Sequence, residues 1–200
     1  MMDSVSRWVG RSLLVGAAAL ASACSDVAPV APTGTTTTAR SGAAVAGINS
    51  GNRLPDLASC PQLAAPEGST LMFHGFGIGV QIYHWNGTSW GAATPSATIY
   101  ADAGGHGKIA DHFAGPTWQS NSGSKVVGTV ADRCTPDAAS IAWLALNAVA
   151  DGRGIFANVN FIQRLNTVGG NPPSTPGTTI GQEARIPYSA DYLFYEAPTP

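Results

Sequence analysis

Between Thr70 and Glu196 the apolar positions mostly recur every second residue, the spacing of a strand with one buried face. In Val80-Gln81-Ile82-Tyr83-His84-Trp85, Val80, Ile82 and His84 share one face and Gln81, Tyr83 and Trp85 the other. Asn86-Gly87 follows as a hairpin signal. The pattern predicts strands at Thr70–His74, Val80–Trp85, Ser96–Asp102 and Lys125–Ala131. It predicts others at Ile155–Leu165 and Ala184–Glu196, the last broken near Pro187. Ile141–Ala150 fits a helical face as well as a buried strand, and its strand neighbours favour strand. Gly75-Phe76-Gly77-Ile78-Gly79 reads as a break between two strands, Gly104 to Gly107 as a loop, and Gly115-Pro116 as a tight bend. Asn166 to Gln182 reads as a long loop.

Seven to nine short strands with Gly and Pro between them predict an all-β fold, a single-domain antiparallel β-sandwich or small barrel. The domain is expected to span 52–197. Residues 24–51, rich in Ala, Pro, Thr and Gly, cannot bury a core and read as a linker. Residues 1–23 read as a signal peptide: Arg7 and Arg11 precede the short apolar run Leu13–Leu20, and Ala21-Ser22-Ala23-Cys24 offers a cleavage site. Cys24 is therefore a candidate for lipidation, which would tether the mature protein to a membrane. An extracytoplasmic chain would be secreted, periplasmic or an outer-membrane lipoprotein. With Cys24 set aside, Cys60 and Cys134 form an even pair, expected as a disulfide in an oxidising compartment.

Composition narrows the function classes. Charged residues make up only 11% of the chain and the formal charge is −2. No basic stripe occurs, so nucleic acid is not an expected partner. A glycan or another envelope component is.

Four ordered blocks carry a family resemblance: Gly79–Tyr83; His112–Trp118 with Gly123–Gly128; Ile162–Gly170; and Pro187–Tyr195. Together they resemble the domain-of-unknown-function family 3455 of secreted bacterial and fungal proteins. The resemblance covers about Pro66 to Tyr195 and implies an extracellular single domain, but no reaction. Some fungal members carry a malate dehydrogenase label. The residues here do not support it, because Gly75, Gly77 and Gly79 give G-x-G-x-G followed by a strand pattern, not the turn and helix that bind a dinucleotide.

Three constellations carry candidate chemistry. His74, His84, His106 and His112 fall within 39 residues and are candidate copper or zinc ligands, with Asp102 and Asp111 in support. The stretch from Ala103 to Pro116 resembles the metal loop of copper–zinc superoxide dismutases, and implies a metal-dependent oxidoreductase. It lacks their His-x-His strand and their histidine spacing. Arg164, beside apolar neighbours, needs a carboxylate partner, for which Asp191 is the first expectation and Glu183 the second. Trp118, Arg164, Tyr188, Asp191 and Tyr192 form the candidate pocket. Finally, Trp85, Trp90, Trp118, Trp143, Tyr100, Tyr188, Tyr192 and Tyr195 would make a carbohydrate-binding platform if several shared an exposed face. The leading expectation is a binding or structural role at the cell envelope.

Overall fold

The computed structural model describes residues 55–198. Within them lie eight antiparallel strands: β1 (Thr70–His84), β2 (Thr94–Tyr100), β3 (Lys108–Phe113), β4 (Thr117–Ser120), β5 (Lys125–Cys134), β6 (Trp143–Ala150), β7 (Phe161–Gly169) and β8 (Glu183–Glu196). Each pairs with its neighbour in sequence, and β8 returns to pair with β1. Of the two all-β architectures expected, the chain adopts the closed barrel. The expected leader (1–23) and the whole expected linker (24–51), Cys24 included, lie outside the described residues.

The glycine stretch is not a break. β1 runs through it as one strand, because Gly75, Gly77 and Gly79 alternate and so share the inner face. There the wall is crowded. A Cβ on Gly75 would lie 2.4 Å from Ile99, one on Gly77 2.5 Å from Tyr192, and one on Gly79 2.4 Å from the Ala97 Cα. The bend read at Gly115-Pro116 is real, but strands β3 and β4 flank it. Ile155–Leu165 does not form one strand: Gly154–Phe156 is a 3-10 turn and β7 begins only at Phe161. β7 also continues to Gly169, past the expected loop start. β8 is unbroken at Pro187. Its carbonyl accepts from the Gly170 N–H just where β7 has ended, so the missing N–H removes no ladder bond.

An eight-stranded barrel has an interior about wide enough for its own side chains to fill. One half of this interior is an apolar plug. Phe156 seals the end, packed against Phe73 and Phe194 with centroids 5.5 and 5.3 Å away. Ile99, Ala110, Val126 and Ile162 complete the layer, all fully buried.

A second core lies outside the barrel. The segment before β1, with a 3-10 turn at Pro61–Leu63, covers Trp143, Ala145, Phe161, Leu165, Leu193 and Tyr195 on the outer faces of β6, β7 and β8. Two devices pin it there. Cys60 and Cys134 form the expected disulfide, 74 residues apart in the chain. Fully buried Gln163 donates to the Leu63 carbonyl at 2.6 Å and accepts from the Tyr195 hydroxyl at 2.8 Å. Burial pushes the Tyr195 phenol up to about 12.

Candidate functional site

The other half of the interior is polar. Strand register places Gln81 and Tyr83 of β1, His112 of β3, Arg164 of β7, and Tyr188 and Tyr192 of β8 on the inner wall. Tyr188, Gly79, Ala97, His112 and Trp118 form one row around the barrel through successive pairings. Arg164 pairs with Tyr192 across the β7–β8 ladder.

Each polar group there has a describable state. His112 is 2% exposed. Its Nδ1–H donates to the Thr117 carbonyl at 3.0 Å, which leaves Nε2 as the lone-pair nitrogen. Burial, with a smaller contribution from the nearby Arg164 charge, lowers its pKa from 6.5 to about 4. The ring is therefore neutral at pH 7. Tyr188 and Tyr192 meet hydroxyl to hydroxyl at 3.2 Å, and burial raises both phenols far from ionisation. Burial likewise raises Tyr83, whose hydroxyl donates to the Gly170 carbonyl at 2.6 Å. Charge on Arg164 acts on Tyr83, His112, Tyr188 and Tyr192 alike, so the guanidinium sits among them.

Some donors in this half have no acceptor. Arg164 directs Nε and Nη2 at one acceptor, the Ala142 carbonyl, at 3.2 and 2.7 Å. Among the described residues no carboxylate pairs with it. Gln81 and Trp118, each 1% exposed, carry buried nitrogens (Nε2 and Nε1) with no partner. Buried donors are almost always satisfied, and one left alone costs about 1–3 kcal/mol. Arg164 itself is only partly buried, and so are Ala97 and Leu144 on the same inner face. Solvent therefore reaches this end of the barrel.

The expected partner of Arg164 is elsewhere. Asp191 pairs in register with Leu165, which turns it to the outer wall while Arg164 and Tyr192 face in. There it accepts from Asn166 at 2.8 Å and lies 3.7 Å from His74 Nε2. Asn166 has a φ of 49° at the β7 irregularity, so Asp191 braces a bulge. Glu183 pairs with Arg185 at 3.0 Å, also outside. Of the expected pocket, the barrel gathers Trp118, Arg164, Tyr188 and Tyr192 and excludes Asp191. It adds Gln81, Tyr83 and His112.

The histidines do not converge. His74 and His84 lie on the outer face of β1, His106 in the exposed loop after β2, and His112 inside. Asp102 accepts from the backbone N–H groups of Gly104 and His106 and lies 3.1 Å from His106 Nδ1. These contacts, the His106 backbone bond first, hold its carboxyl below the usual range. This is loop bracing. Among the described residues, no group of three or more His, Cys, Asp or Glu side chains is placed to hold a metal ion. The superoxide-dismutase resemblance thus finds no geometric counterpart. Nor does an aromatic platform form among the described residues: Trp85, Trp118, Trp143, Tyr188, Tyr192 and Tyr195 are buried, and Trp90 and Tyr100 are only partly exposed. Over β1, β2 and β3 lies a shallow depression of about 390 Å³, lined by Ile78, Ser96, Thr98, Asp111 and Phe113 of the outer wall and by Gly79, Ala97 and His112.

Fold and interior together define an up-and-down β-barrel that is apolar at one end and donor-rich at the other. Residues 66–196 match the family described as "Protein of unknown function (DUF3455)", and the chain belongs to that family. No curated protein matches the chain, and no solved structure does.

Proposed function

We propose that this is a non-enzymatic, extracytoplasmic binding domain that seats a small molecule in the polar half of its barrel. One observation carries the reading: buried donors on Gln81 and Trp118 stand without acceptors in the same half of the barrel as an Arg164 that no carboxylate neutralises. A barrel built only for stability would fill these positions with apolar side chains. A ligand that supplies acceptors accounts for them.

The compartment is part of the proposal. The Cys60–Cys134 disulfide suits an oxidising environment. The leader-like residues 1–23 and the linker 24–51 add to this, and lipidation at Cys24 would tether the domain. The outer wall carries Asp111, Lys125, Arg185, Glu183 and Asp191 around an apolar plug, the inverse of a membrane-spanning barrel. Cell fractionation, with the mature N-terminus read by mass spectrometry, tests this. A cytosolic chain that retains Met1 would refute it.

Thermal denaturation against a library of small polar and aromatic compounds tests the binding reading. Binders should raise the Tm of the wild type and lose that effect in Arg164→Met and Gln81→Met. The reading is overturned if no compound raises the Tm, or if the same compounds act equally on both variants.

A further inference from the structure

We infer that the molecule this barrel takes is a small organic monoanion, a carboxylate on a flat or aromatic body. The inference rests on the binding reading above and adds the ligand's chemistry. A guanidinium has five N–H donors. Arg164 spends its Nε and Nη2 atoms on the Ala142 carbonyl and also reaches the Tyr192 hydroxyl, yet among the described residues no carboxylate neutralises its charge. Gln81 Nε2 brings two further N–H groups and Trp118 Nε1 one.

No carboxylate inside the barrel balances these donors. Asp111, Asp191 and Glu183 all belong to the outer wall, where their partners are Lys108, Asn166 and Arg185. The interior therefore holds one permanent positive charge, unpartnered N–H groups on Gln81 and Trp118, and no carboxylate. A single guanidinium in a partly desolvated site matches a single negative charge. Its planar fork fits the two oxygens of a carboxylate better than it fits a tetrahedral dianion held by one cation.

The walls specify the body. His112 and Trp118 stack with centroids 4.3 Å apart, and Tyr192 stands edge-on to both at 5.2 and 5.5 Å. Tyr188 joins Tyr192 through its hydroxyl. Gln81 and Tyr188 converge on Gly170, whose carbonyl also takes the Tyr83 hydroxyl. Aromatic faces with phenol and indole edges favour a flat ligand over a branched aliphatic one. Partial exposure of Arg164 and Leu144 marks the end at which such a molecule would enter.

Isothermal titration with benzoate, phenylacetate and 4-hydroxybenzoate, each against its primary amide, tests the inference, with inorganic phosphate as a further titrant. Each acid should bind at least tenfold tighter than its amide and tenfold tighter than phosphate, and Arg164→Met should abolish the preference. If Arg164→Met does not fold, Arg164→Lys keeps the charge without the fork, and should weaken the acids at least tenfold. Equal affinity of acids and amides would overturn the anion while leaving the pocket standing. Phosphate binding as tightly as the acids would overturn carboxylate recognition. If acids, amides and the compound library all fail to bind, the binding reading fails with it.

Discussion

His112 lies flat on Trp118 inside the barrel, with ring centroids 4.3 Å apart and planes 8° from parallel. The two are direct cross-strand partners on β3 and β4, joined by the short turn at Gly115-Pro116. The stack explains why a histidine can be 2% exposed and yet not be a ligand: one nitrogen is spent on the Thr117 carbonyl and one face on an indole.

Burial of this ring makes stability depend on pH. His112 titrates at about 4 in the folded chain against 6.5 unfolded. Between those values the unfolded chain binds a proton that the folded chain does not. Stability is therefore full above pH 6.5 and falls as pH drops toward 4, by roughly 3 kcal/mol. Urea denaturation at pH 7.0 and 4.5 checks this. The wild type should lose most of that amount and His112→Gln should lose much less.

Gln81→Met should stabilise the ligand-free protein. It keeps the length of the side chain and removes a buried nitrogen that has no partner. The gain should be about 1 kcal/mol, read from the urea midpoint. An unchanged or lower midpoint would mean that the amide is satisfied and that no stability is given up at this position.

How far the sequence reached depends on what each signal encodes. β8 is legible from its dense Tyr and Phe positions, whereas β6 is nearly continuously apolar and only its strand neighbours mark it as a strand. The disulfide followed from counting cysteines, and the family blocks lie on β1, β3 to β5, β7 and β8. The continuity of β1 is hidden because glycine carries no strand signal, although Gly75, Gly77 and Gly79 share parity with Gln81 and Tyr83. That parity was the clue to the inside of the barrel, since glycines mark a crowded face. Without it, Val80 and Ile82 look like the buried set and Gln81 like a solvated residue. Arg164 stands out in the sequence as a cation among apolar neighbours, but charge alone points to Asp191 as its partner. The ladder decides otherwise, because one residue of register separates Tyr192 inside from Asp191 outside.

The glycine stripe makes a graded prediction. A Cβ at Gly79 meets backbone, the Ser96 carbonyl at 2.3 Å and the Ala97 Cα at 2.4 Å, which cannot move without opening the β1–β2 ladder. At Gly77 the Cβ meets the Tyr192 ring edge at 2.5 Å. Gly79→Ala should cost about 3 kcal/mol or prevent folding, and Gly77→Ala about 1–2 kcal/mol. Thermal melts of the two variants give the order. If Gly79→Ala is the milder, the inner-face assignment of the stripe is wrong.

Removing the disulfide should release the outer core first. Cys60→Ser/Cys134→Ser frees a closure spanning 74 residues, worth on the order of 4 kcal/mol in the chain-entropy view. Trp143 and Tyr195 would gain solvent while the plug around Phe156 stays packed. Hydrogen exchange should rise across residues 55–69 before it rises in β3 and β4. Uniform loss of protection would show that the two cores fold as one unit.

Protein-detected NMR of a small-fragment screen tests the central claim most directly, using the Trp118 indole N–H, the Gln81 side-chain amide and the Arg164 Nε–H as reporters. Binding in the polar half predicts that hits move these three signals together and saturably, and leave Ile78, Thr98 and Phe113 on the outer wall unmoved. Hits that map to the outer depression with the three reporters silent would contradict it.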